Sequence, residues 1–455
     1  MSFAIDGLVS GLDTTSLIAS LMRVEAVPQD LLKAKVATTN TYVTALQQLN
    51  TRVAALADLA TAGSKASALD LFSTTSSSAK ITAVATTGAT AGEVDIVVGA
   101  LAQSQKSVSA SMGAWPDSPP VITIVGADGR PVQVFASSSN LDDVVRAVNA
   151  ASVGVTATKI ATGVGSYRIQ FGTATAGAAG AFSVYRGSSD EVAAGTATNL
   201  FTEPGAATVR TAQDASLTLW AGTPAAQVIT SATNTFADLL PGVSVTVGAV
   251  SADPVTISVA RDTTAATGVA AALITALNES FSMITTRSMV STSTNASGAT
   301  TTTSGVFTGD GLVRDVKQKL LSAASLPIDG RSPSEMGITI TKSGTIEFSA
   351  EKFAAALAKD PAGTQSAFRE LSARIAAAAT SASDRYDGQI TAKITGQQST
   401  VRELGNRISD WDLRLASTKA GLQRTYSALE VALSGMKAQS SWLSAQVAAL
   451  PGASA

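Results

Sequence analysis

Six apolar residues near the end of the chain, Val401, Ile408, Leu415, Leu422, Leu429 and Met436, fall seven positions apart without a miss. A second row accompanies them: Leu404 and Trp411 stand three residues after first-row members, and Tyr426 and Leu433 stand four after. Thr418 and Lys419 mark the point where this second row changes phase. No proline occurs between Pro361 and Pro451, so the helix can run uninterrupted. A sustained heptad keeps one stripe of a helix turned toward a partner, because its 3.5-residue spacing nearly matches the helical turn. The row predicts a helix–helix seam of about 50 Å.

A second long helix is predicted near the other end. From Gln29 to Ala62 there is no Gly or Pro, and Val36, Val43, Leu46, Leu49, Val53, Leu56 and Leu59 recur at helical spacing. Upstream, Asp13 or Thr14 is placed to cap a helix carrying Leu17, Ile18 and Leu21, with Gly7 and Gly11 allowing a bend before it. The simplest way to bury both stripes is to bring the two terminal helices together as one stalk.

The middle of the chain alternates with period two. VITIVGADGRPVQVFA reads as two strands around a turn at Asp128–Gly129, and NLDDVVRAVNAA as a short helix capped by Asn140 with Leu141, Val144, Val145 and Val148 on its apolar side. VGVTATKIA, YRIQFG, ASLTLWAG, GVSVTVGAV and PVTISVA are further strands. Helix returns at TAATGVAAALITALNESFSMI, followed by STSTNASGATTTTSG, which reads as a flexible loop. GITITKSGTIEFS is a hairpin turning at Ser343–Gly344, AEKFAAALAKDP is a helix stopped by Pro361, and Gly388 and Gly396 separate the seam helix from the one before it. The expected fold is α+β and multidomain: a helical coiled-coil stalk formed by the N- and C-terminal segments, with an inserted β-rich head. The head is placed at 111–265, with room for two subdomains. The stalk is 41–110 plus 266–415 with small β-hairpins, flanked by terminal segments 1–40 and 416–455.

Composition narrows the function. The chain has no Cys and no His, which removes thiol chemistry and imidazole acid–base catalysis. A net charge of −2 lacks the basic surface of a nucleic-acid binder. The first basic residue is Arg23, and Asp6 and Asp13 interrupt the early apolar residues, unlike a cleaved export signal. No uninterrupted apolar run reaches the ~18 residues of a membrane span. GLVSGLDTTS has no Lys and no preceding strand, so the mechanics of a phosphate loop are missing. Ser-x-x-Lys occurs at Ser77/Lys80 and Ser434/Lys437, a spacing that arises readily in a Ser-rich chain. Asp142 and Asp143 are adjacent and suit a helix N-terminus rather than an acid/base pair. No enzyme, cofactor or metal site is expected.

GLVSGLDTTSLIASLMRVEAVPQDLL resembles the start of the bacterial flagellar filament cap family, hook-associated protein 2 or FliD. In that family a GSGLD-type motif opens a helix that leads to a short acidic–apolar–Pro element; here these are Ser10 to Asp13, then Glu25, Ala26 and Pro28, with Val24 departing at the element's first position. LQRTYSALEVALSGMKAQSSWLSAQ is similar to its closing helix, and RTAQDASLTLWAG, LLPGVSVTV and ITITKSGTIEFSAEKFAAALAKDP to its recurring blocks. The similarity is weakest between about Ser111 and Gly205.

The resemblance implies a homo-oligomeric ring at the filament tip that promotes folding and insertion of flagellin. It implies contacts with hook–filament junction proteins, an export chaperone and the flagellar type III export machinery, which needs no cleaved signal. It also implies terminal segments disordered in the free protein and helical in the assembly. The interface residues expected on this basis are Leu12, Leu17, Leu21, Val43, Leu46, Val53 and Leu56 at one end. At the other they are Val401, Leu404, Ile408, Trp411, Leu415, Leu422, Leu429, Met436 and Leu443. Two rivals remain at this point, another flagellar axial or junction protein and a tip adhesin that binds host or surface glycans.

Overall fold

The computed structural model describes residues 11, 13–294 and 296–448. Its helices are α1 (Thr14–Gly63), α2 (Leu141–Ala150), α3 (Ser189–Ala194), α4 (Thr263–Ser288), α5 (Gly311–Ser325), α6 (Ala350–Lys359), α7 (Pro361–Ser383) and α8 (Gln389–Ala448). The chain divides into two compact units, one of residues 1–66 with 267–455 and one of 67–266.

The first unit is helical. α1 starts where the Asp13 carboxylate accepts the Ser16 N–H at 2.7 Å, filling one of the orphan donors of the first turn. It continues through Pro28, an interior position where proline removes the N–H that would reach back one turn. From Val43 onward α1 packs against α7 and α8 and buries Val43, Leu46, Leu49, Val53, Leu56 and Ala60. α7 answers with Phe368, Leu371, Ile375 and Ala379 at helical spacing. The helices approach closely at Gly63, where an added Cβ would lie 2.8 Å from the Ser372 hydroxyl. Phe353 of α6 meets Phe368 edge-on, with ring centroids 5.8 Å apart. α4 is long and apolar enough by length and composition to cross a membrane. In this unit its apolar side, including Leu273, Leu277 and Phe281, is buried in the helical packing. Its polar side reaches α1 through Arg52 and Glu279 at 3.0 Å, and Asn278 pairs with both main-chain groups of Ile346.

The second unit holds two cores. A five-stranded antiparallel sheet, in the order Phe72–Ser76, Val255–Arg261, Gly92–Ala100, Ala215–Leu219, Gln227–Ser231, and a three-stranded sheet, Thr235–Leu240, Val243–Val247, Ile81–Ala85, share one of them. Alternation explains it: Val243, Val245 and Val247 point inward with Ile257 and Ile96, while Thr246 points out. The other core is enclosed by two four-stranded sheets and α2, around Phe171, Ile122, Leu141 and Val148. The Asn140 side chain accepts the Asp142 N–H at 3.0 Å and sets the start of α2. Gly129 turns the Val121–Gly126/Pro131–Phe135 hairpin at φ +74°, in the left-handed region that glycine occupies without strain.

Three details differ from the sequence expectation. The β-rich unit starts at Ser67, not at 111, because Phe72–Ser76, Ile81–Ala85 and Gly92–Ala100 pair with strands 158 to 189 residues downstream. The Ser/Thr-rich stretch expected as a loop forms an antiparallel ribbon, Val290–Thr294 with Thr300–Ser304, as its β-branched residues favour. Gly396 lies inside α8, where helix packing outweighs its ~1 kcal/mol propensity cost.

Candidate functional site

α8 runs antiparallel to α1. Gln29 of α1 donates to the Asp412 carboxylate at 2.5 Å and to the Ile408 carbonyl at 3.3 Å, and Asn50 donates to the Thr391 hydroxyl at 3.4 Å. These contacts lie twenty-one residues apart along α1 and twenty-one back along α8, so the register holds over three heptads. The inward residues of α1 are Ile18, Met22, Ala26, Gln29, Leu32, Val36 and Val43. Those of α8 are Leu404, Ile408, Trp411, Leu415, Thr418, Leu422, Tyr426, Glu430 and Leu433. After Leu422 the inward spacing lengthens to four residues, which turns Tyr426 and Glu430 in and Leu429 and Met436 out. The Arg414 guanidinium lies over the Trp411 ring at 4.6 Å. Small side chains Ala19, Ala26 and Ala416 leave a groove of about 610 Å³ between the helices, edged by Arg23, Lys419 and Glu430.

Beside the seam, α1 carries a second apolar stripe of Leu17, Leu21, Val24 and Leu31, all exposed. At about 100° per residue it lies roughly a third of a turn from the seam, and Asp13 and Lys35 bound it on the same face. The outer end of α8 exposes Leu429, Met436, Trp442, Leu443 and Val447.

The residues expected at an interface therefore fall into three groups. Leu17, Leu21, Leu429, Met436 and Leu443 are exposed. Val401, Ile408, Trp411, Leu415 and Leu422 are half-buried along the pair. Val43, Leu46, Val53, Leu56 and Leu404 are buried in the unit's own core, so in this fold they offer no surface to another subunit. Leu12 lies outside the described residues, as do most of the first dozen positions and those after 448. Sequence reasoning missed Val24, Leu31 and Gln29. The signal for the first two was present, since Leu31 follows Val24 by one heptad.

Other chemistry is tied up or scattered. Ser77 Oγ accepts the Thr256 N–H at 3.0 Å, and Ser434 and Lys437 both lie on an exposed part of α8. Tyr42 donates to the carboxylate of Asp310, which caps α5 by accepting the Val313 N–H at 3.1 Å. Burial, then that hydrogen bond, push the Tyr42 hydroxyl well above its ordinary pKa. Among the described residues no group of three Asp or Glu side chains is gathered to hold a metal ion.

An antiparallel pair of long terminal helices with apolar stripes left exposed on it, together with a β-rich unit, defines an α+β multidomain protein with a helical stalk. Its lineage is specific. Family profiles described as the flagellar hook-associated protein 2 N-terminus and C-terminus match residues 10–105 and 212–438, and the chain belongs to that family. It is 26% identical over 461 residues to flagellar hook-associated protein 2 of Escherichia coli O157:H7, covering 97% of each chain. Against the protein of the same description from strain K12 it is 26% identical over 464 residues, again covering 97% of each. The crystal structure of the flagellar cap protein FliD D1-D2-D3 domains from Escherichia coli shares the fold, with a TM-score of 0.60 at 23% identity, covering 78% of this chain and 99% of that one.

Proposed function

We propose that this chain caps the flagellar filament: copies associate at the tip and promote the folding and insertion of exported flagellin. The observation that carries this reading is the end-to-end likeness to hook-associated protein 2, over 97% of both chains. The exposed stripe Leu17–Leu21–Val24–Leu31 and the outer end of α8 supply the means. Covered by a second copy of the chain, they hold the cap together, and their outer ends reach the filament below. The protein leaves the cell through the flagellar type III channel and acts outside it. Absence of Cys suits that site, since the chain has no thiol or disulfide to respond to a change of redox poise.

The test is a strain lacking the gene. Flagellin should be lost to the medium as monomer and recaptured into filaments when purified protein is added. Normal filaments without the protein would overturn the reading.

A further inference from the structure

α1 carries two apolar stripes, and little in their apolar content separates them. One is the seam used, with Ile18, Met22, Ala26 and Leu32; the other is Leu17, Leu21, Val24 and Leu31. Beyond Val43 the deep core fixes which face of α1 is inside. That constraint weakens between Val43 and Gln29, where Leu32, Val36 and Thr39 are only half-buried. A segment free to twist there could lay either stripe on α8.

We propose that Gln29 selects the face. It is 3% exposed, the most buried polar side chain of α1, and stands one residue after the proline. Both amide hydrogens are used, one on the Asp412 carboxylate at 2.5 Å and one on the Ile408 carbonyl at 3.3 Å. Its carbonyl accepts from Lys33 at 2.9 Å, one turn along the same helix. If α8 lay on the leucine stripe, Gln29 would swing away and Asp412 would lose this donor. A satisfied polar contact inside an apolar seam specifies one arrangement against its competitors. The network thus keeps the leucine stripe facing outward, the surface on which the proposed association rests.

The chain has no cysteine, so introduced pairs report pairing without background. Ala26→Cys with Leu415→Cys, two residues that line the same groove, reports the observed face. Val24→Cys with Leu415→Cys reports the other. In the otherwise unchanged protein only the first pair should close a disulfide. Adding Gln29→Leu should raise closure of the second pair about tenfold or more. Adding Asp412→Asn, which keeps an oxygen acceptor, should leave the native pattern.

A Gln29→Leu protein that still closes only the first pair would overturn the proposal. So would loss of both disulfides together with helical signal, because the network would then hold the pair together rather than choose its face. The readout is intramolecular, so it separates failure of the lock from failure of the capping reading.

Discussion

Replacing Leu21 by Asp separates an association surface from a core. Leu17, Leu21, Val24 and Leu31 are 41%, 40%, 70% and 67% exposed. Full burial of such a side chain stabilises by about 1.5–3 kcal/mol, so covering the exposed fractions contributes about 0.6–2 kcal/mol each and about 3–6 kcal/mol for the stripe. That is roughly two to four decades in an association constant. Leu21→Asp removes one share and places a carboxylate against an apolar partner, which costs several kcal/mol more unless the charge is paired. Self-association measured by sedimentation should weaken at least about a hundredfold. Stability of the separate chain should fall by no more than about 2 kcal/mol, the worth of the part of Leu21 already covered. Unchanged association would refute the assignment of the stripe. A loss of more than about 2 kcal/mol in denaturant unfolding would show instead that Leu21 belongs to the core.

Leu49 of α1 is fully buried, and Leu49→Ala should lower unfolding stability by about 2–5 kcal/mol, read from the urea midpoint. In the β-rich unit Arg186 pairs with Glu203 at 2.6 Å, its Nε is buried without a hydrogen-bond partner, and neither side chain of the pair is much exposed. Glu203→Gln should destabilise that unit by about 1–3 kcal/mol, seen as an earlier denaturant transition. Because the folded pKa of Tyr42 is raised, its contribution to stability is complete below the unfolded value of about 10 and is lost as pH rises beyond it. The melting-temperature difference between wild type and Tyr42→Phe should therefore shrink steadily on going from pH 9 to pH 11. A difference that stays constant across that range would remove Tyr42 as its source.

What the sequence shows most directly is local. The cap at Asn140 and the stripe of α2, the glycine turns at Asp128–Gly129 and Ser343–Gly344, and the cap at Asp13 depend on residues within one or two turns of each other. The sheet membership of Ile81–Ala85 is not local: its partner is Val243–Val247, and an alternating strand carries no record of which edge it joins. Helix through Pro28 is a tertiary outcome too, since packing on α8 outweighs a local signal to stop.

The heptad row shows where such reading ends. Its six members share one spacing, yet the row faces α1 only through Leu422. Periodicity records that a stripe exists; it does not say how far the partner extends or which way a helix turns near the partner's end. Near Leu422 the inward spacing changes from alternating threes and fours to successive fours, as in an undistorted helix drifting against a 3.5-residue repeat. That drift brings Tyr426 and Glu430 toward the start of α1 and leaves Leu429, Met436 and Leu443 outside. Moving the leucine to the inward position should test the consequence. Exchanging the identities of Leu429 and Glu430 places a carboxylate at the outward position and a leucine at the inward one, so self-association should weaken. If the exchange strengthened association instead, the outward position of residue 429 would not be what the assembly uses.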